Sequence, residues 1–93
     1  MKFTSIEFRL HAVQRMFERK ISDKDVKNIV ISGKIIEEYP KDVPLPSYLI
    51  LGFINERPLH VVVAVDSETK KAIVITVYEP NLQLWQKGFE KRK

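Results

Sequence analysis

The sequence predicts an α+β domain, with two N-terminal helices packed on a four-stranded antiparallel sheet and a short C-terminal helix, in the order α-α-β-β-β-β-α. Three observations carry that expectation. Apolar residues recur at helical spacing between Phe8 and Val30. From Lys34 the pattern changes to short runs rich in Ile, Val and Tyr, broken by turn residues. After Pro80, Asn81 precedes Leu84, Trp85 and Phe89 as a cap precedes a helix.

Residues 5–20 read as the first helix. Ser5 or Thr4 can cap it, Phe8, Ala12 and Met16 recur every four residues, and Val13 and Phe17 add a second row. Ile21 leads into a new start, where Ser22 followed by Asp25 resembles a capping box. Val26, Ile29 and Val30 form the apolar face of the second helix. Gly33 is a natural stop, because glycine takes the left-handed conformation after a helix without penalty.

Lys34 to Tyr39 reads as the first strand. Pro40, Pro44 and Pro46 make a stiff loop that no central strand could hold. Tyr48 to Ile54 is the second strand, Asn55 to Pro58 a turn, and Leu59 to Val65 the third strand. The near-continuous apolar run of the third implies a central position. Asp66 to Lys71 turns into the fourth strand, Ala72 to Tyr78. The short connections imply antiparallel neighbours, and both helices must bury their stripes on one face.

Ninety-three residues suffice for one domain, 1–93, with one core. The chain is 44% hydrophobic and 30% charged, which reads as globular. It has no cysteine, which excludes disulfides, a thiolate nucleophile and zinc–thiolate sites. The opening segment MKFTSIEFRLH has no apolar run and meets Arg9 early, unlike a signal peptide. The near-apolar run from His60 to Val65 is too short to span a bilayer, so the expected location is the cytoplasm, with no membrane partner. A net charge of +4 tilts weakly toward anionic partners. A domain of this size gains stability by dimerising, so a homodimer is one expectation.

His11, Arg15 and Arg19 are spaced i, i+4, i+8 and lie along one side of the first helix. Glu18 flanks the same side. Arginine presents a planar fork that holds phosphate bidentately, and histidine titrates where proton transfer near neutral pH needs it. These are the groups that metal-free RNA cleavage requires: a base for the 2′-hydroxyl, cations for the scissile phosphate, and an acid for the leaving oxygen. No competing metal constellation surrounds either histidine, His11 or His60, and no cofactor is expected. The same spacing also describes a solvated face with weak ion pairs.

Tyr78 closes the last strand and can donate a hydrogen bond or proton to a phosphate; the alternative is half-buried strand packing. His60 sits on the opposite side of its strand from Leu59, Val61 and Val63, and can join Tyr78 in a site or serve as a structural, hydrogen-bonded histidine. Trp85 and Phe89 read as anchors for the last helix, and the closing Lys91, Arg92 and Lys93 as a solvated end.

The segments HAVQRMFERKIS, GKIIEEYP, LHVVVAVD and ITVYEP, with the later Trp85, resemble a prokaryotic domain-of-unknown-function family along nearly the whole chain. The shared positions are His11, Ala12, Arg15, Met16, Arg19, Ile21, Ser22, Gly33, Ile35, Ile36, Tyr78, Pro80 and Trp85. That family is distantly similar to RelE-type and BrnT-type toxins, small metal-independent ribonucleases paired with an antitoxin. The resemblance implies a RelE/BrnT-like fold and a metal-independent endoribonuclease, the toxin half of a toxin–antitoxin pair. RNA and a cognate antitoxin would be its partners, with His11, Arg15, Arg19 and Tyr78 at the matching catalytic positions; Glu18, from its place on the stripe, is the alternative base. The rival expectation is a non-catalytic basic module that binds nucleic acid or an acidic protein through Arg15 and Arg19.

Overall fold

The computed structural model describes residues 3–93. Its order is β1 (Ser5–Phe8), α1 (Leu10–Arg19), α2 (Asp23–Ser32), β2 (Lys34–Tyr39), β3 (Ser47–Ile54), β4 (Arg57–Asp66) and β5 (Lys71–Tyr78). The five strands form one mixed sheet in the order β1-β5-β4-β3-β2. This corrects the expected four-stranded antiparallel sheet at one edge: β1 runs parallel to β5, pairing Ser5 with Lys71 through Phe8 with Val74. The other pairings are antiparallel, and β4 holds the central position its apolar run implies.

The first helix therefore starts at Leu10, not at residue 5. In SIEF the burial alternates with period two, and Ile6 and Phe8 pack on the core while Ser5 and Glu7 face out. Thr4 caps no helix; its hydroxyl donates to the Thr69 carbonyl at 2.8 Å. Arg9, in extended conformation, occupies the N-cap without a side-chain bond, and its amide donates to Val74 O. At the other end Lys20 is left-handed (φ 56°). Its N–H reaches Phe17 O and that of Ile21 reaches Met16 O, closing a Schellman motif.

The capping expected for α2 is present: the Ser22 hydroxyl accepts from the Asp25 amide at 3.1 Å. Gly33 ends the helix for a different reason from the expected one. Its backbone is extended (φ −72°, ψ 174°), and a Cβ there would sit 2.5 Å from Ile29 O and 2.6 Å from Ile50 Cγ2. Close packing of α2 on β3, not a left-handed cap, demands glycine.

Both helices lie on one face of the sheet. Ala12 and Met16 of α1, and Val26, Ile29 and Val30 of α2, join Ile50, Leu59, Val61, Val63, Ala72, Val74 and Val77 in one buried core. Val43–Pro44 is a cis peptide in the proline-rich loop. Asn55 and Glu56 both have positive φ and make the two-residue hairpin between β3 and β4.

Two irregularities decide which side chains reach the other face. Val61 pairs with Val77 but Val63 pairs with Val74, so β5 carries one extra residue near Ile75. Val74 and Val77 can then both face the core although three positions apart, and Tyr78 turns to the opposite face. A similar shift in β2 pairs Ile35 with Ile50 but Glu37 with Leu49. It puts Glu37 on the face away from the helices.

No C-terminal helix forms. Asn81 makes one turn, its side chain accepting from Gln83 N and its carbonyl from Leu84 N and Trp85 N. Gly88 (φ 94°) and Phe89 (φ 64°) then reverse the chain, and Trp85 bridges Arg92. So short a helix is marginal in water, and the contacts available to a folded-back tail outweigh it.

Candidate functional site

The reversed tail lies over the face of the sheet opposite the helices and closes a polar cluster there. His60 is fully buried (0% exposed), and Trp85 nearly so (2%). The Trp85 ring meets His60 edge-on, with centroids 4.4 Å apart. His60 Nε2 lies 2.8 Å from the Phe89 carbonyl and Nδ1 lies 3.1 Å from the Tyr78 hydroxyl. A carbonyl only accepts, so Nε2 carries the proton and donates to it. Nδ1 is then bare and accepts from Tyr78 O–H. Burial lowers the His60 pKa from its ordinary 6.5, partly opposed by the bond to Phe89, and the neutral ring is the form that fits.

Around this pair, Arg92 grips Glu37 with two bonds, Nε to Oε2 at 3.0 Å and Nη2 to Oε1 at 3.1 Å. Its guanidinium also stacks over Trp85, 4.5 Å from the ring centroid. Tyr39 donates to Glu37. Arg92 foremost holds the Glu37 carboxyl below its usual range. Burial pushes the Tyr78 hydroxyl up. Among the described residues, no buried side-chain nitrogen or oxygen lacks a partner. The cluster is closed and mutually satisfied, as a structural network is. Arg92 joins it through these bonds although its side chain stays 58% exposed, so the end is solvated but tethered.

The helix stripe is the opposite case. His11, Arg15, Glu18 and Arg19 are all exposed on the outer side of α1. Arg15 reaches Glu18 at 3.6 Å, an exposed i, i+3 pair. His11 and Arg19 have no side-chain partner among the described residues. The structure brings these four together, one turn apart, but not Tyr78. That residue lies across the sheet, against His60, because the extra residue in β5 turns it there.

The sequence expectations leave out Glu37, Tyr39 and Arg92 of the cluster, and Arg57 as well. Arg57 donates from Nη2 to the Arg19 carbonyl at 2.8 Å and from Nε to Glu79 at 2.7 Å, tying the C-terminal end of α1 to the end of β5. Its place in a hairpin turn gave no signal. Phe17, in the second apolar row at helical spacing, is 86% exposed. The outer side of α1 carries Leu10 and Val13 exposed as well, and Val13, Gln14, Phe17 and Glu18 line a shallow groove.

Among the described residues, no group of three His, Cys, Asp or Glu side chains is placed to hold a metal ion. No helix there is long and apolar enough to cross a membrane.

The chain belongs to the family described as Domain of unknown function (DUF4258), whose pattern matches residues 8–79. The match runs from the end of β1 to just past β5 and stops before Trp85 and the folded-back tail. No curated protein and no solved structure matches the chain. The expected RelE/BrnT-like fold is thus replaced by the five-stranded mixed sheet.

Proposed function

We propose that the chain binds single-stranded nucleic acid on the outer side of α1, where Arg15 and Arg19 engage backbone phosphates and His11 extends the strip. The observation that carries this is the exposure of all three along one side of a helix, with Arg19 and His11 unpaired among the described residues. Arginine suits the role, because its fork binds a phosphate with two parallel bonds. A flexible single strand can follow a strip of about 12 Å, the length eight helical residues span.

Cleavage finds less support in the geometry. With Tyr78 on the far face, the proton carriers left on the strip are His11 and Glu18. They are seven residues apart, about 10.5 Å along the axis. One scissile phosphate needs its base and its acid both within hydrogen-bond reach.

Fluorescence anisotropy with a labelled single-stranded RNA, in EDTA and over a salt series, tests the reading. Affinity is expected to fall steeply with salt, and the R15A/R19A double variant to lower the log–log slope by about 1.4, two phosphate contacts' worth. A slope unchanged by that variant refutes the proposal. Shortened RNA on a denaturing gel, lost with His11→Ala, would restore the ribonuclease reading in its place.

A further inference from the structure

The tail past β5 is fastened to the back of the sheet and takes no part in the core beneath the helices. Leu49, Leu51 and Trp85 are buried, yet they stand outside the cluster that α1 and α2 build with the other face. Leu49 pairs with Val62 and Leu51 with His60, so both leucines share the face on which the tail lies. The tail is held there by the Phe89 carbonyl on His60 Nε2, the Trp85 ring against His60, Arg92 on Glu37 and Glu90 on Lys34. The last two are ion pairs whose cations are exposed, and such pairs contribute little. The first two converge on one imidazole.

That imidazole fits its surroundings in one protonation state. Nε2–H donates to Phe89 while bare Nδ1 accepts from the Tyr78 hydroxyl. A proton added to Nδ1 would meet the hydroxyl hydrogen head-on, so Tyr78 would have to turn and give up the bond it donates. The imidazolium would also lack a carboxylate. The charged and titratable groups around it are Lys34, Glu37 and Tyr39 from β2, Tyr78 from β5, and Glu90 and Arg92 from the tail, while β3 sets the apolar Leu51 opposite. Glu37 is already engaged by Arg92 and Tyr39, and Glu90 by Lys34. Arg92 is a further positive charge nearby. A fully buried cation placed so is strongly disfavoured, and water would solvate it once the ring is uncovered.

We propose that the tail is a strap that acid releases from the back of the sheet, with His60 as its latch. The neutral ring holds the strap down. The protonated ring favours a lifted strap, with His60, Trp85 and Leu51 in water while the sheet and both helices stay folded, as a local opening allows. The sign follows from burial: the closed strap holds His60 below its ordinary 6.5, and lifting restores that value. Closure is therefore strongest above pH 6.5 and weakens as pH falls toward the lowered value of the closed form. The strap acts on the face away from α1 and does not depend on the phosphate-binding reading.

Trp85 is the single tryptophan of the chain, so its fluorescence reads the strap. The test measures acrylamide quenching of the full chain from about pH 7.5 to about pH 4.5, where histidine titrates, beside far-UV circular dichroism. The accessible fraction of Trp85 is expected to rise below pH 6.5, by up to about tenfold per pH unit for one proton taken up, while the helical signal holds. In His60→Gln the rise is expected to vanish, because glutamine keeps an N–H for Phe89 and an oxygen for Tyr78 but does not titrate. Glu37→Gln loosens Arg92 without touching the imidazole, so it is expected to move the rise to higher pH; it serves as the second variant should His60→Gln not fold. A Trp85 shielded throughout, quenching that appears only as the helical signal is lost, a rise that persists in His60→Gln, or a midpoint unmoved by Glu37→Gln overturns the proposal.

Discussion

On the tail-covered face of the sheet, an arginine, a glutamate, a histidine and a tyrosine spend their hydrogen bonds on one another. Across the molecule, on α1, two arginines, a histidine and a glutamate face water with one weak pair among them. The residue types are nearly the same. The difference is geometric. Glu37, His60 and Tyr78 project from neighbouring strands at fixed separations, and the tail brings Arg92 and the Phe89 carbonyl to meet them. His11, Arg15 and Arg19 project from an outer helix face that no other element of the chain covers. Polar groups packed among strands are closed by the fold, and groups on an uncovered helix are left for a partner.

The sharpest way to break this contrast is to empty the tail side. Trp85→Ala is expected to cost about 3–5 kcal/mol in urea unfolding, the usual range for removing a buried tryptophan. RNA affinity of the protein that remains folded should not change. A loss under about 1 kcal/mol would mean that the tail is not the anchor described. His60→Ala leaves the Phe89 carbonyl and Tyr78 hydroxyl without their partner, which costs about 1–3 kcal/mol.

Acid should separate the two regions as well. The folded-state pKa of His60 lies below its unfolded value of 6.5, mainly through burial. Its contribution is therefore fully present above 6.5 and is lost as pH falls through the lowered folded value. Glu37 adds a second loss at more acidic pH, because Arg92 holds it below its ordinary 4.5. Thermal unfolding of the wild type across this range, compared with Tyr78→Phe, reads the effect. Tyr78→Phe should itself cost about 1 kcal/mol, the net worth of one hydrogen bond. A wild type equally stable on both sides of the His60 transition would refute the neutral, buried histidine.

The smallest effects belong to α1. Arg19→Ala and Phe17→Ala are expected within about 0.5 kcal/mol of wild type in stability, as exposed substitutions are. Arg19→Ala should still weaken RNA binding, because it removes a phosphate contact. A destabilised Arg19→Ala would assign that side chain to the fold.

Much of this architecture was legible in the residues. β2 matches the predicted span, and β3 to β5 extend theirs by one to three residues. Ser22 caps α2 as its spacing suggests. The misses have local causes. SIEF alternates for only four residues, too few to outweigh the helical spacing of Phe8, Ala12 and Met16. Asn81 does cap a turn, but the helix after it loses to contacts between residues distant in sequence. The candidate site was half legible. A helix carries its periodicity in the sequence, so His11, Arg15 and Arg19 were bound to align. Tyr78 could not be assigned to a face, because an extra residue within a strand leaves no compositional mark.

That extra residue has one more consequence. Ile75 sets the parity of everything after it in β5: positions before it count faces one way and positions after it count them the other. Deleting this single residue would leave Val74, Thr76, Val77 and Tyr78 in strict alternation, with Val77 still in the core and Tyr78 still against His60. Straightening the strand with Ile75 kept in the ladder would instead exchange Val77 and Tyr78 between the two sides of the sheet, driving a hydroxyl into the aliphatic interior and leaving His60 facing a valine. The bulge, more than the identity of its residue, keeps both faces in phase.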